Sequence, residues 1–229
     1  MLPRTVLDSV TTRDGRRLVL YQRGDDFVIQ VDHEELMSSR SHGSEEGLAH
    51  LGLRALGPRP SPRILVGGLG LGFTLRAVLD RVGPRTEATV VVAELFPAVV
   101  AWNRTWLGHL ASHPLDDPRV QVLEKDLADC LGDARSTGKP YDLILLDVDN
   151  GPEAFTVSSN RHLYGPRGIG YLRQALVPGG IVAVWSATPA PQFVKQLEKG
   201  GFGVQTHHVA ARSGSKRHRH VVMVAQRLE

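Results

Sequence analysis

Cysteine is almost missing from this 229-residue chain: Cys130 is the only one. A lone thiol excludes an intrachain disulfide framework and a thiolate zinc cluster. Its neighbours Leu127, Ala128 and Leu131 suggest an apolar helix face, on which Cys130 is a core filler. Long apolar runs are missing too, and none approaches the length needed to cross a bilayer. The opening Met1-Leu2-Pro3-Arg4-Thr5 has no apolar secretion core, so a cytoplasmic protein without a membrane partner is expected. Net charge is only +3, which gives little reason to expect a nucleic-acid partner. Basic residues do gather between Arg212 and His220, a run read as a solvated hairpin loop. No carboxylate or cysteine completes a ligand set around His207-His208 or His218 and His220, so no metal is expected.

What the chain has is glycine in one telling place. The apolar strand Ile64-Leu65-Val66 breaks into Gly67-Gly68-Leu69-Gly70-Leu71-Gly72 and then into a helix start, Phe73-Thr74-Leu75-Arg76. Gly68, Gly70 and Gly72 let the backbone turn sharply and let a ligand approach the main chain, as in nucleotide-binding loops. The next strand ends in Glu94, at the spacing of a carboxylate that accepts hydrogen bonds from ribose hydroxyls. A dinucleotide fingerprint wants a small residue where this chain has Phe73, which favours adenosylmethionine over nicotinamide chemistry.

From the glycine loop onward, strand-like and helix-like segments alternate, and Tyr141 to Asp147 is almost continuously apolar. This pattern predicts an α/β fold with a mostly parallel sheet covered by helices on both faces, and an antiparallel strand pair at its carboxyl-terminal end. Before it, Arg16 to Tyr21 and Phe27 to Val31 read as a β-hairpin, with a further strand near Val6 to Thr11. A helix from Ser44 to Leu56, capped by Ser44, follows. The proline-rich stretch Gly57-Pro58-Arg59-Pro60-Ser61-Pro62 then divides the chain into an appendage, 1–57, and a Rossmann-like domain, 58–229.

These segments resemble the spermidine synthase (polyamine aminopropyltransferase) family, whose Rossmann-like fold is that of class I adenosylmethionine-dependent methyltransferases behind a small β-region. The resemblance runs from Ile64 to Val224 and rests on the glycine loop, Glu94, Asp117-Pro118-Arg119-Val120, Asp126, Tyr141 to Asp147 and Leu176-Val177-Pro178-Gly179-Gly180. It implies that Glu94 holds ribose, that Asp126 accepts from the adenine amino group, and that Asp147 sits beside the sulfonium and the nucleophile. A homodimer is the assembly it suggests. For Asp147 the physics agrees, since a carboxylate ending a buried parallel strand points into the ligand crevice of open α/β sheets, where it can orient or deprotonate a nucleophile.

The departures bear on the substrate. Aligned on Thr74-Leu75-Arg76, the loop aspartate with which the family binds the donor's amino group falls at Leu71. The second acid after the fourth strand falls at Asn150, with Asp149 beside it as a substitute catalytic acid. Where polyamine synthases carry Asp-Glu and then Tyr-His-Glu, this chain has Arg40-Ser41 and Ser44-Glu45-Glu46, leaving Glu46 with Asn150 as the candidate substrate contacts. An unpaired buried ammonium costs several kcal/mol, so putrescine is a poor fit. The expectation is therefore methyl transfer from adenosylmethionine to a small acceptor. The alternatives are aminopropyl transfer from decarboxylated adenosylmethionine and a non-catalytic nucleotide-binding module.

Overall fold

The computed structural model describes residues 3–12, 15–84, 87–148, 151–152, 162–211 and 219–229. Four strands, β1 (Thr5–Thr11), β2 (Arg17–Arg23), β3 (Asp26–Val31) and β4 (Glu34–Ser38), form an antiparallel meander in that order. The first three follow the expected hairpin region. The fourth escapes sequence reading because its turn, Asp32-His33, contains no glycine. Asp32 instead takes a positive φ of 52° itself, which aspartate tolerates better than most residues.

Helix α1 (Gly43–Leu56) leads to β5 (Arg63–Gly67), the glycine loop and α2 (Phe73–Val82). Then come β6 (Thr89–Ala93), α3 (Pro97–Thr105), β7 (Val120–Leu123), α4 (Leu127–Ser136) and β8 (Tyr141–Leu146). The chain continues through α5 (Pro166–Ala175), β9 (Leu176–Ser186), α6 (Pro191–Lys199), β10 (Phe202–Ala210) and β11 (Arg219–Arg227). Three of these helices begin on proline, whose fixed φ suits a first turn where no backbone N–H is needed. The large sheet runs β7-β6-β5-β8-β9-β11-β10, parallel from β7 to β9, with β11 antiparallel to both of its neighbours.

Both faces of this sheet are buried, and alternate residues serve them. Ile64, Val66, Val90, Val92, Leu143 and Leu145 face α1, α2 and α3. Leu65, Val91, Ile144, Leu146, Val182 and Val184 face α4, α5 and α6. Cys130 is buried in the second layer, and burial pushes its thiol up to about 11. Among the described residues no helix is long and apolar enough to cross a membrane.

Two sequence expectations change. Pro178-Gly179-Gly180, expected as a turn between a helix ending near Leu176 and a strand from Ile181, lies within β9: Tyr141 pairs with Leu176 and Leu143 with Ile181, so the extra residues form an irregularity in which Pro178 and Gly179 are tolerated. Ser44 does not cap α1. The helix starts at Gly43 after His42, and the buried Ser44 Oγ donates instead to Glu45 Oε2 at 2.6 Å. The basic run 212–218 lies outside the described residues.

Helix α1 lies directly on the large sheet, while β1 to β4 form their own sheet and join the same core cluster. The close approach of α1 rests on Gly52, where a Cβ would meet Leu145 at 2.8 Å, Leu143 at 3.1 Å and Ala183 at 3.4 Å. Gly52→Val should therefore cost about 1–3 kcal/mol by overpacking. Gly132→Ala in α4, where a Cβ meets nothing, should stabilise by about 0.5–1 kcal/mol. Urea unfolding of the two variants checks both signs.

Candidate active site

The carboxyl ends of β5, β6, β8 and β9 open into a cleft of about 160 Å³, walled on one side by the glycine loop and on the other by side chains of the small sheet, among them Leu36 and Met37. Two glycines have specific reasons to be there. Gly68 has φ +90°, and a Cβ on it would lie 2.3 Å from the carbonyl oxygen of Asp147. Gly70 has φ +53°, and a Cβ would lie 2.9 Å from Met37 Sδ. Both line the cleft. Gly72, φ +86°, stands at the start of α2 and does not line it.

Four carboxylates border the cleft: Glu45, Glu94, Asp126 and Asp147. Glu94 follows β6 and is buried, accepting the backbone N–H of Leu69 on Oε2 and that of Phe96 on Oε1, each at 2.9 Å. It thus clamps the glycine loop, a task the sequence did not reveal. Burial pushes its carboxyl upward while the backbone donors oppose the shift. Asp126 caps α4, with Oδ1 accepting from Ala128 N at 2.8 Å, and also borders the cleft. In the nearby Asp117-Arg119 pair, bonded at 2.7 Å, the guanidinium holds Asp117 down at about 2. That motif braces the start of β7 and takes no part in the cleft wall.

Asp147 follows β8, its own N–H bonded to Gly67 O at 2.9 Å and its Oδ2 accepting from Thr74 Oγ1 at 2.5 Å. Burial, with a smaller contribution from the charge of Glu45, pushes it up to about 7. Glu45 is likewise raised by burial, against the hydrogen bond from Ser44. Glu46, the expected substrate contact, is absent from the cleft wall: its Oε1 lies 2.8 Å from His42 Nδ1 at the partly exposed start of α1. Asp149 and Asn150 lie outside the described residues. Leu71, at the position of the expected donor-binding acid, is buried and borders the cleft.

Sequence reading missed Glu45, Thr74, Met37 and Trp185. A signal for Glu45 existed, because residues 45, 48, 49, 52 and 56 form one helical stripe, and Leu48, Ala49, Gly52 and Leu56 on it are buried. A glutamate heading an apolar stripe deserves suspicion. Trp185 likewise alternates in phase with Ile181 and Ala183 near the carboxyl end of β9.

No family model matches the sequence. The curated proteins it does resemble are named polyamine aminopropyltransferases. That of Pyrobaculum aerophilum is 27% identical over 195 residues, 83% of this chain and 61% of the relative. That of Hyperthermus butylicus is 31% identical over 186 residues, 81% of this chain and 57% of the relative. The solved spermidine synthase from Thermotoga maritima superposes with a TM-score of 0.74 at 20% identity, covering 96% of this chain and 72% of that one. The chain is similar to the polyamine aminopropyltransferases. It spans less than two thirds of the length of these two curated relatives. The curated relatives overturn the expectation of methyl transfer, because they are named polyamine aminopropyltransferases. Leu71 alone is therefore too little to decide the reaction class.

The raised Asp147 has a stability consequence. A carboxyl whose folded pKa lies above its unfolded value contributes stability that is fully present below the unfolded value and is lost as pH rises through the folded one, here about 7. Asp147→Asn should therefore stabilise the ligand-free protein at about pH 8 and do little at about pH 4. The gain at the higher pH should be about 2 kcal/mol rather than the ~4 kcal/mol of an unscreened shift, since Asp147 is only partly buried and borders the cleft. Calorimetric Tm values of both proteins across that pH range test the sign.

Proposed function

We propose that this chain transfers an aminopropyl group from decarboxylated adenosylmethionine to an amine acceptor. The observation that carries the reading is Asp147: a carboxylate raised to about 7, at the carboxyl end of a central strand, in a cleft shared with the glycine loop, Glu94 and Asp126. The similarity to polyamine aminopropyltransferases supports the choice of donor.

The residues suit the task. Glu94, bonded by backbone N–H groups of the glycine loop and of the residues that follow β6, borders the cleft and is assigned the ribose hydroxyls. Asp126 has one oxygen in its cap and the other for the adenine amino group. Thr74 fixes Asp147 Oδ2, leaving Oδ1 for the incoming amine. The donor supplies a sulfonium whose adjacent methylene is attacked by the amine nitrogen, releasing a thioether. Asp147 takes the proton that the nitrogen loses. General-base help of this kind is worth roughly 10²–10⁴-fold, and alignment of nitrogen, carbon and sulfur contributes the rest. Asp149 and Asn150 remain candidates for the acceptor's far end.

Incubation with decarboxylated adenosylmethionine and a panel of amines, read by mass spectrometry, should yield methylthioadenosine and an aminopropylated amine. Asp147→Asn should lower kcat about 100-fold or more. Wild-type kcat/KM for the donor should rise with pH through about 7, as Asp147 ionises in the free enzyme, and then level off. NAD should show no saturable binding, because Phe73 occupies the small-residue position of a dinucleotide loop. Product formation from adenosylmethionine but not from the decarboxylated donor would overturn the assignment.

A further inference from the structure

The reading above leaves a physical gap. Decarboxylated adenosylmethionine carries a primary ammonium at the end of its propyl chain and has no carboxylate to neutralise it. Where an acid would meet that ammonium from the glycine loop, this chain presents Leu71, buried in the cleft wall. An ammonium moved from water against hydrocarbon costs several kcal/mol unless something pairs with it.

The fold brings another carboxylate to the same place from a different element. Along β8, alternation puts Leu143, Leu145 and Asp147 on one side of the sheet, the side that α1 covers. Gly52 of α1 rests on Leu143 and Leu145 while Glu45 borders the cleft at the carboxyl end of β8, so α1 runs against the strand direction. Glu45 lies seven residues back on the same helical stripe, about 10 Å along the axis, a distance comparable to the two to four strand residues, about 7–13 Å, that separate the Gly52 contact from Asp147. The start of α1 is also fastened to the start of α2, where the His42 and Phe73 rings stack with centroids 4.2 Å apart and 17° between their planes. Phe73 is two residues beyond Leu71 in sequence, and its neighbour Thr74 holds Asp147. Glu45, Leu71, Thr74 and Asp147 therefore converge on one cleft.

Glu45 is also held ready. Its Oε2 accepts from Ser44 Oγ at 2.6 Å, and Ser44 is buried. Among the described residues no ion pair joins Glu45 or Asp147 to a lysine or arginine, and the charge that acts on Asp147 is that of Glu45. Lys125 borders the cleft but forms an ion pair with Asp133. Two like charges brought together without a cation favour a ligand that supplies one.

Resting on the aminopropyl-transfer reading, we propose that Glu45 is the specificity-determining residue for the donor, its carboxylate receiving the propyl ammonium from helix α1 in place of an acid in the glycine loop.

Two adenosine thioethers with uncharged sulfur are compared, methylthioadenosine and adenosyl-3-thiopropylamine, in which an aminopropyl chain replaces the methyl group, and the change in their ratio between wild type and Glu45→Gln isolates the ammonium from the added methylenes. Calorimetric Kd values for both give a ratio for each protein. Wild type should bind the aminopropyl thioether at least tenfold more tightly than methylthioadenosine. Glu45→Gln should erase that preference while leaving methylthioadenosine affinity within about twofold. Ser44→Ala, which frees the Glu45 side chain without discharging it, should reduce the preference about threefold. Leu71→Asp added to Glu45→Gln should restore it, with methylthioadenosine affinity reporting that the cleft is intact. An unchanged ratio in Glu45→Gln, or an equal loss for both ligands, overturns the proposal, as does a wild type that does not distinguish the two thioethers. The product assay with decarboxylated adenosylmethionine stands apart from this. Turnover with an unchanged Glu45→Gln ratio sinks only the role of Glu45, whereas no turnover with a Glu45-dependent ratio sinks only the transfer reaction.

Discussion

The backbone of the glycine loop presses against the end of β8 so closely that position 68 has no room for a side chain, with the Asp147 carbonyl oxygen 2.3 Å from where a Cβ would stand. Much of the site depends on this contact. It fixes the loop relative to the strand that delivers Asp147, and two hydrogen bonds of 2.9 Å, from Asp147 N to Gly67 O and from Gly68 N to Ala93 O, tie three adjacent strand ends together. Glu94 then secures the far side of the turn through the Leu69 N–H. The cleft is assembled from main chain first, and its carboxylates are carried on a frame that is already set.

That frame explains why the cleft tolerates so much concentrated negative charge. Glu94 and Asp126 have backbone donors, Asp147 has Thr74 and Glu45 has Ser44. Each acid is thus oriented, but burial still raises Glu94, Glu45 and Asp147 above their ordinary values. The ligand-free cleft is electrostatically unfavourable at neutral pH, and the imbalance selects for cationic occupants. A sulfonium and an amine both qualify.

Much of this was legible in the residues. The glycine loop, Glu94, Asp126 and Asp147 stand at junctions between periodic segments, where local pattern and chemistry coincide, and the parallel sheet followed from near-continuous apolar strands such as Leu143 to Leu146. Long-range packing was not legible. Nothing local distinguishes Glu45 from Glu46 as the inward residue until Gly52 is known to lie on Leu143 and Leu145. The β4 strand was hidden because Asp32 replaced the glycine a turn normally advertises. The double duty of Glu94, clamping the loop as well as facing the cleft, depends on a backbone N–H 25 residues away.

The insertion of β11 between β9 and β10 bears on the order in which the chain is assembled. Strand β10 leaves the ribosome before β11, yet β11 is its only partner in the sheet, and β9 has a bare edge until β11 arrives. During synthesis the nascent sheet therefore exposes the apolar edge that carries Trp185. Such an edge is a template for unwanted strand pairing, and the arrival of β11 both covers it and gives β10 a partner in the sheet.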